Sequence, residues 1–224
     1  MKMFMLFGLL WWLLGNPFVA IIILLIVLYL LERRFIGLSP SIVRPFRRRS
    51  AIAKWQRELQ LNPHDVSARQ ELARLLIEGR KYGQAYEVLR QIGPQLEHSA
   101  EYWSDLGTCQ LALGQLEEGE QSMLRALDIS PRVKYGAPYL RLSEAFAKTD
   151  PAKALGYLQQ LQEINASSCE AYYLMGRLYA DLGRQQEAAA AFQQCQALYP
   201  TLPRYLKRKE RKWALLSKLH KTRV

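Results

Sequence analysis

The sequence predicts an all-α protein: an N-terminal transmembrane helix, then an α-solenoid of about four helix–turn–helix units, closed by a C-terminal basic capping helix. Three observations carry this expectation. Residues 3–31 contain no charged side chain. From Ala51 onward, apolar and small residues recur at helical spacing in blocks of roughly 34 residues. The prolines that close those blocks keep register, since Pro63 to Pro131 is 68 residues and Pro131 to Pro200 is 69.

The chain has 224 residues, 50% hydrophobic and 23% charged, with a net charge of +11. That is enough for one membrane segment and one domain with its own core. The charge is uneven. Residues 1–57 carry nine Lys/Arg against Glu32, and residues 204–224 carry nine against Glu210, while the stretch between them is mildly acidic. A basic chain invites a nucleic-acid reading, but here the excess sits at the ends, so nucleic acid is not the expected partner. Cys109, Cys169 and Cys195 form no CxxC pair. They fit buried, reduced packing positions better than redox or metal chemistry.

Within the first segment (3–31), Phe18 to Leu31 is almost wholly Ile, Leu, Val and Phe. Twelve such side chains favour bilayer insertion by about 4–7 kcal/mol. Asn16-Pro17 predicts a kink in a single span, with Trp11 and Trp12 at the outer interface. The run is too long for a cleaved signal peptide and its positive flank follows it, so a retained anchor is expected. Only Lys2 precedes the span, whereas Arg33, Arg34, Arg44, Arg47, Arg48 and Arg49 follow it. The positive-inside rule then places the N-terminus outside and the remainder in the cytoplasm of a single-pass cell-membrane protein. Residues 32–50 are expected to be a basic juxtamembrane connector, interrupted by Pro40 and Pro45, whose six arginines are candidates for contact with anionic lipid.

The repeats occupy 51–200. Residues 51–63, with Ala51, Trp55, Glu58 and Pro63, match the second half of a unit. Full units follow at about 66–97, 100–131, 136–166 and 169–200. The last is the clearest: Tyr172, Met175, Gly176, Tyr179, Gly183, Ala188, Phe192, Cys195 and Pro200 recur at fixed spacing, with Gly176 and Ala188 where two helices must approach closely. The second unit carries Trp103, Leu106, Gly107, Gly114, Leu116, Met123, Ala126 and Pro131. The third has two extra residues around Arg132–Ala137, a short inter-helix turn, and Asp150-Pro151 as a helix start. Ser167 and Glu170 are spaced as a capping box for the fourth.

This pattern resembles the tetratricopeptide repeat family, of a membrane-anchored bacterial type. The sequence departs from the family at Gly79, one place early, at Gln110, where a large apolar residue is usual, and at Gly119, where Ala is usual. The resemblance implies a right-handed superhelix whose concave groove binds a protein or peptide. Its groove positions fall on Gln70, Arg74 and Ile77, on Glu101, Ser104, Thr108 and Leu111, on Leu140 and Glu144, and on Glu170, Tyr173 and Arg177. Tyr173 and Arg177 are the expected contact residues, because Tyr and Arg dominate binding hot spots. The family's carboxylate clamp needs groove Asn residues that are missing from the matching faces.

In residues 201–224, Leu202, Leu206, Trp213, Leu216 and His220 share one face, with basic residues around the rest. This predicts a helix that caps the open end of the stack. No HExxH, Walker or GxSxG motif is present, and His64, His98 and His220 lack ligand spacing. No enzyme activity and no cofactor are expected. The functional expectation is a membrane-tethered scaffold or adaptor at the cytoplasmic face. A nucleic-acid or ribosome-associated role for the basic tail, and an envelope scaffold with the solenoid outside, are the alternatives.

Overall fold

The computed structural model describes Trp12 and residues 15–35 and 43–221, in two units, residues 1–42 and 43–224. In the first unit, α1 runs Pro17–Phe35. Its start differs from the expected kink: Asn16 Oδ1 accepts the Phe18 N–H at 2.9 Å, and Asn16 C=O accepts from Ala20. Asn16 is thus an N-cap with Pro17 at the first helical position, where the missing N–H costs nothing. The uncharged part, Pro17–Leu31, is about 22 Å long, short of the roughly 30 Å of a bilayer core. Among the described residues no helix is long and apolar enough to cross a membrane. Residues 3–14 other than Trp12 lie outside the described residues, as do residues 36–42 of the expected connector 32–50.

The second unit contains α2 (Val43–Leu61), α3 (Val66–Glu78), α4 (Tyr82–Arg90), α5 (Ala100–Ala112), α6 (Leu116–Ile129), α7 (Ala137–Phe146), α8 (Pro151–Ile164), α9 (Cys169–Asp181), α10 (Gln185–Thr201) and α11 (Arg204–Lys221). Short 3₁₀ turns at Gly93–Gln95 and Val133–Gly136 follow α4 and α6, and no strand occurs among the described residues. Consecutive helices pack as antiparallel pairs, α3 with α4, α5 with α6, α7 with α8 and α9 with α10, and the first helices stack α3 on α5 on α7. α11 packs on both α9 and α10, as α5 packs on both α3 and α4.

The half-repeat helix is longer than expected. α2 begins at Val43 and absorbs both Pro45 and Arg47–Arg49. Pro45 is the third helical residue, whose N–H has no intrahelical acceptor in any helix, so it does not break the turn.

Small residues set the helix spacing. A Cβ on Gly176 would stand 2.5 Å from Phe192, and one on Gly107 would stand 2.9 Å from both the Gly119 carbonyl and Met123. The two departures in the second unit have a joint explanation. A Cβ on Gly119 would lie 2.7 Å from Leu111, so Leu111 fills the space that Ala would take. Gln110 is buried but satisfied, since Ser122 Oγ donates to its Oε1 at 2.6 Å.

The inter-helix turns share one hydrogen-bond pattern. Gly114 N–H donates to Leu111 C=O and Gln115 N–H to Gln110 C=O; Gly183 and Arg184 repeat this with Ala180 and Tyr179. Both glycines have positive φ, 85° and 75°, as a Schellman ending requires. In the first unit the same bonds run from Arg80 to Ile77 and Lys81 to Leu76, and Arg80 itself takes φ 58°. Gly79, one place early, has an ordinary helical φ. Its role is space: a Cβ there would stand 3.3 Å from Arg48 Nε, and Arg48 Nη1 donates to the Glu78 carbonyl at 2.9 Å. A cation on the last carbonyls of α3 suits the negative end of its dipole.

Asp150 caps α8 by accepting from Lys153 N–H at 3.0 Å. At α9 the cap is Ser168, which accepts from Ala171 N–H at 3.2 Å, and not Ser167 as the capping-box spacing suggested. Asn165 Oδ1 holds Ser167 N–H at 3.2 Å, which keeps Ser167 in the connector.

Candidate functional site

The groove positions of the first two units are engaged with one another. Arg74 on α3 binds Glu71 at 2.9 Å, Asp105 at 3.4 Å, and also Glu101. Asp105, 4% exposed, takes a second cation in Lys134. Arg74 and Glu101, expected to face a partner, are therefore neutralised within the molecule. Ser104 is buried, and its carbonyl accepts from Thr108 Oγ1 at 2.7 Å. Ile77, Leu111 and Leu140 are half-buried against the core, and Gln70 is half-buried on α3.

Lys134 reaches Asp105 from an unusual turn. Lys134, Tyr135 and Gly136 are consecutive left-handed residues with φ 47°, 58° and 81°. Two of the three carry a Cβ, a strain of about 1–2 kcal/mol each. This turn is where the extra residues of the third unit go. Neither Asp105 nor Lys134 was expected at the groove, because pairing across helices depends on how the units rotate on one another.

The open part of the groove lies at its C-terminal end. A cleft of about 560 Å³ is lined by Ser143, Glu144, Ala145, Ala147 and Lys148 from α7 and the turn after it, by Tyr173, Leu174, Arg177, Leu178 and Asp181 from α9, and by Lys212, Trp213 and Leu216 from α11. Leu174, Leu178, Trp213 and Leu216 give it an apolar lining. Arg177, Lys148 and Lys212 are exposed, and none of the three is in an ion pair among the described residues. Lys212 Nζ lies 4.6 Å from the Trp213 ring centre, a cation–π contact.

Tyr173 is a wall of this cleft and not an exposed contact residue. It is 5% exposed, with ring centres of Trp213 at 5.3 Å, His220 at 5.5 Å and Phe192 at 6.0 Å. The capping helix covers it. Trp213 and Lys212 join the site as residues that groove positions carried over from the family could not supply.

α11 is seated by its one acidic residue. Glu210, 5% exposed, accepts the backbone N–H of Glu170 at 3.1 Å, at the start of α9. Burial and the neighbouring Glu144 and Glu210 carboxylates raise the pKa of Glu170 above the ordinary carboxylate value. The cysteines are all buried thiols. Burial pushes Cys109 up to about 12, and a hydrogen bond with Cys195, together with burial, raises Cys169. Thiols raised in this way, Cys109 and Cys169, are poor nucleophiles at neutral pH. Among the described residues no cluster of His, Cys, Asp and Glu has the makings of a metal site.

Of the six arginines assigned to the membrane surface, Arg44, Arg47 and Arg48 line a second cleft with Ala51, Leu75 and Glu78. Arg49 is exposed on α2, and Arg33 and Arg34 lie in the last turn of α1.

Comparison with known proteins agrees with this architecture. The tetratricopeptide repeat model matches residues 100–133 and residues 169–202, the α5–α6 and α9–α10 pairs. The chain therefore contains tetratricopeptide repeats. It is similar to human tetratricopeptide repeat protein 33, at 33% identity over 91 residues, 41% of this chain and 35% of that protein. The matched region thus spans about a third of that relative's length. Among solved structures it is similar to MamA (TM-score 0.60, 19% identity, 70% of this chain and 85% of that one). It is also similar to YrrB, described as a TPR protein with an unusual peptide-binding site (TM-score 0.58, 15% identity, 82% of this chain and 87% of that one). At these identities the likeness concerns the fold alone.

Proposed function

We propose that this tetratricopeptide-repeat chain is a non-catalytic scaffold that holds an extended protein segment in the cleft between α7, α9 and α11. The observation that carries the proposal is the cleft itself, with an apolar lining from Leu174, Leu178, Trp213 and Leu216 beside the exposed cations Arg177, Lys148 and Lys212. Such a surface fits a segment carrying apolar side chains beside carboxylates. The peptide-binding site described for YrrB lends support from a chain of the same fold. The test is capture of partners by the full chain against an Arg177→Glu, Lys148→Glu variant of unchanged helicity. Loss of specific partners in the variant supports the proposal, and an unchanged partner set refutes it.

The second part of the proposal concerns place. The large side chains of α1 are exposed, Phe18 at 75%, Leu25 at 59% and Ile22 at 56%. Water disfavours a helix of that surface, and a bilayer favours it. We propose that the N-terminal segment anchors the chain in the cell membrane, the crossing being completed by the uncharged residues before Pro17, with the repeats on the cytoplasmic face. Anchoring raises the local concentration of a modest binder. Protease accessibility in intact cells and in inverted vesicles decides between this orientation and repeats on the outer side. The nucleic-acid alternative loses ground because Trp213, Leu216 and Glu210 of the basic tail are committed to packing on α9 and α10.

A further inference from the structure

We infer that the outward face of α11 is a docking surface for an anionic lipid bilayer. α11 packs on α9 and α10 through Leu206, Trp213, Leu216 and the buried Ser217. Its opposite side carries Arg204, Tyr205, Arg208, Lys212, Leu215 and Leu219, all exposed. Positions 204, 208, 215 and 219 are four and seven apart, so they form one stripe along the helix. A helix that only shields the end of a repeat stack from water has a polar outer face. Here Tyr205 is 75% exposed, Leu219 61% and Leu215 43%. Water disfavours such a surface.

The charge around these side chains is of one sign. Residues 169–221, which form the α9–α10 pair and its cap, hold ten Lys/Arg against Glu170, Asp181, Glu187 and Glu210. Glu210 is buried on the Glu170 N–H, and Glu187 binds Arg184. Pairing within this end of the stack therefore leaves an excess of six positive charges, whichever partners the individual cations take. Charge and apolar content together decide the occupant. A second copy of this face would meet like charge and be repelled. A nucleic acid rewards the cations but offers nothing to a pair of leucines one turn apart. The headgroup region of an anionic bilayer takes both: its phosphates meet the Lys and Arg side chains, while Tyr205, Leu215 and Leu219 enter the acyl boundary. This contact is additional to the proposed N-terminal anchor and does not depend on it.

The experiment uses the full chain with vesicles, carrying a nitroxide on the thiol of Leu215→Cys; the three native thiols are buried. Paramagnetic accessibility of the label is read in vesicles of phosphatidylcholine alone and of phosphatidylcholine with phosphatidylglycerol. In the anionic vesicles only, the label is expected to gain contact with oxygen and lose contact with a water-soluble nickel complex. High salt is expected to reverse both changes. An Arg204→Glu, Lys218→Glu variant is expected to lower the ratio of docked to free label about tenfold or more. Flotation with neutral vesicles reads the anchor and the label reads α11, so the two readings fail separately. Equal accessibility in the two kinds of vesicle, or a docked label unmoved by salt and by the variant, overturns the inference. A label shielded from nickel by single-stranded RNA, with no gain of oxygen contact in anionic vesicles, assigns the face to nucleic acid and overturns it as well. If the double variant loses its helicity, the contrast between vesicles and its salt dependence decide.

Discussion

Glu210 on α11 accepts the backbone N–H of Glu170 at 3.1 Å, so the only acidic side chain of the basic C-terminal helix holds that helix to the start of α9. A carboxylate at a helix N-terminus is favoured by the dipole and by the unpaired N–H groups there. Glu210→Ala leaves a buried donor unsatisfied and is expected to cost about 1–3 kcal/mol in chemical denaturation. Loosening of α11 is expected to red-shift the fluorescence of Trp213. A change smaller than about 0.5 kcal/mol with an unchanged spectrum contradicts the assigned role.

Glu170 sets a pH dependence. Its pKa is raised in the folded state by burial and by Glu144 and Glu210. The folded protein then holds this proton where the unfolded chain has released it. Its contribution to stability falls as pH rises from the unfolded value of 4.5 through the raised folded value. Glu170→Gln is expected to remove that part of the slope, with urea midpoints measured from pH 4 to pH 8. A slope identical in the two proteins contradicts the shift.

The three Schellman turns differ in one residue. Arg80 holds at φ 58° the position that Gly114 and Gly183 occupy in their units. Arg80→Gly is expected to stabilise by about 1 kcal/mol, and Gly183→Ala to destabilise by a similar amount. Thermal unfolding midpoints moving in opposite directions check the pair together.

Gly119 tests the logic of family consensus. Alanine is the usual residue there, yet its Cβ would stand 2.7 Å from Leu111. Gly119→Ala is therefore expected to destabilise by about 1–3 kcal/mol through overpacking, despite the higher helix propensity of alanine. Gly119→Ala combined with Leu111→Val is expected to recover much of the loss.

The repeat register was legible because it is a local pattern. Gly176 against Phe192 and Gly107 against Met123 lie within single helix pairs, and their spacing alone places them. What sequence could not supply was contact between units. Arg74 reaches Asp105 across 31 residues, and Asp105 draws in Lys134 from a left-handed turn. Spacing marks a side chain as facing the groove without saying whether a neighbouring unit neutralises it. Tyr173 failed as an exposed contact for the same reason, since the helix that buries it begins about thirty residues later. Pro45 misled in a different way: a proline in a helix's first turn looks in sequence like a connector.

The most direct test of the central claim is site-specific photo-crosslinking of the full chain in cells. A photoreactive residue at Arg177, in the cleft, is compared with one at Gln194, exposed on α10 and outside it. The account predicts discrete crosslinked protein partners from position 177 that are absent from position 194. Equal adducts from both positions, or adducts from position 194 alone, contradict recognition through the cleft.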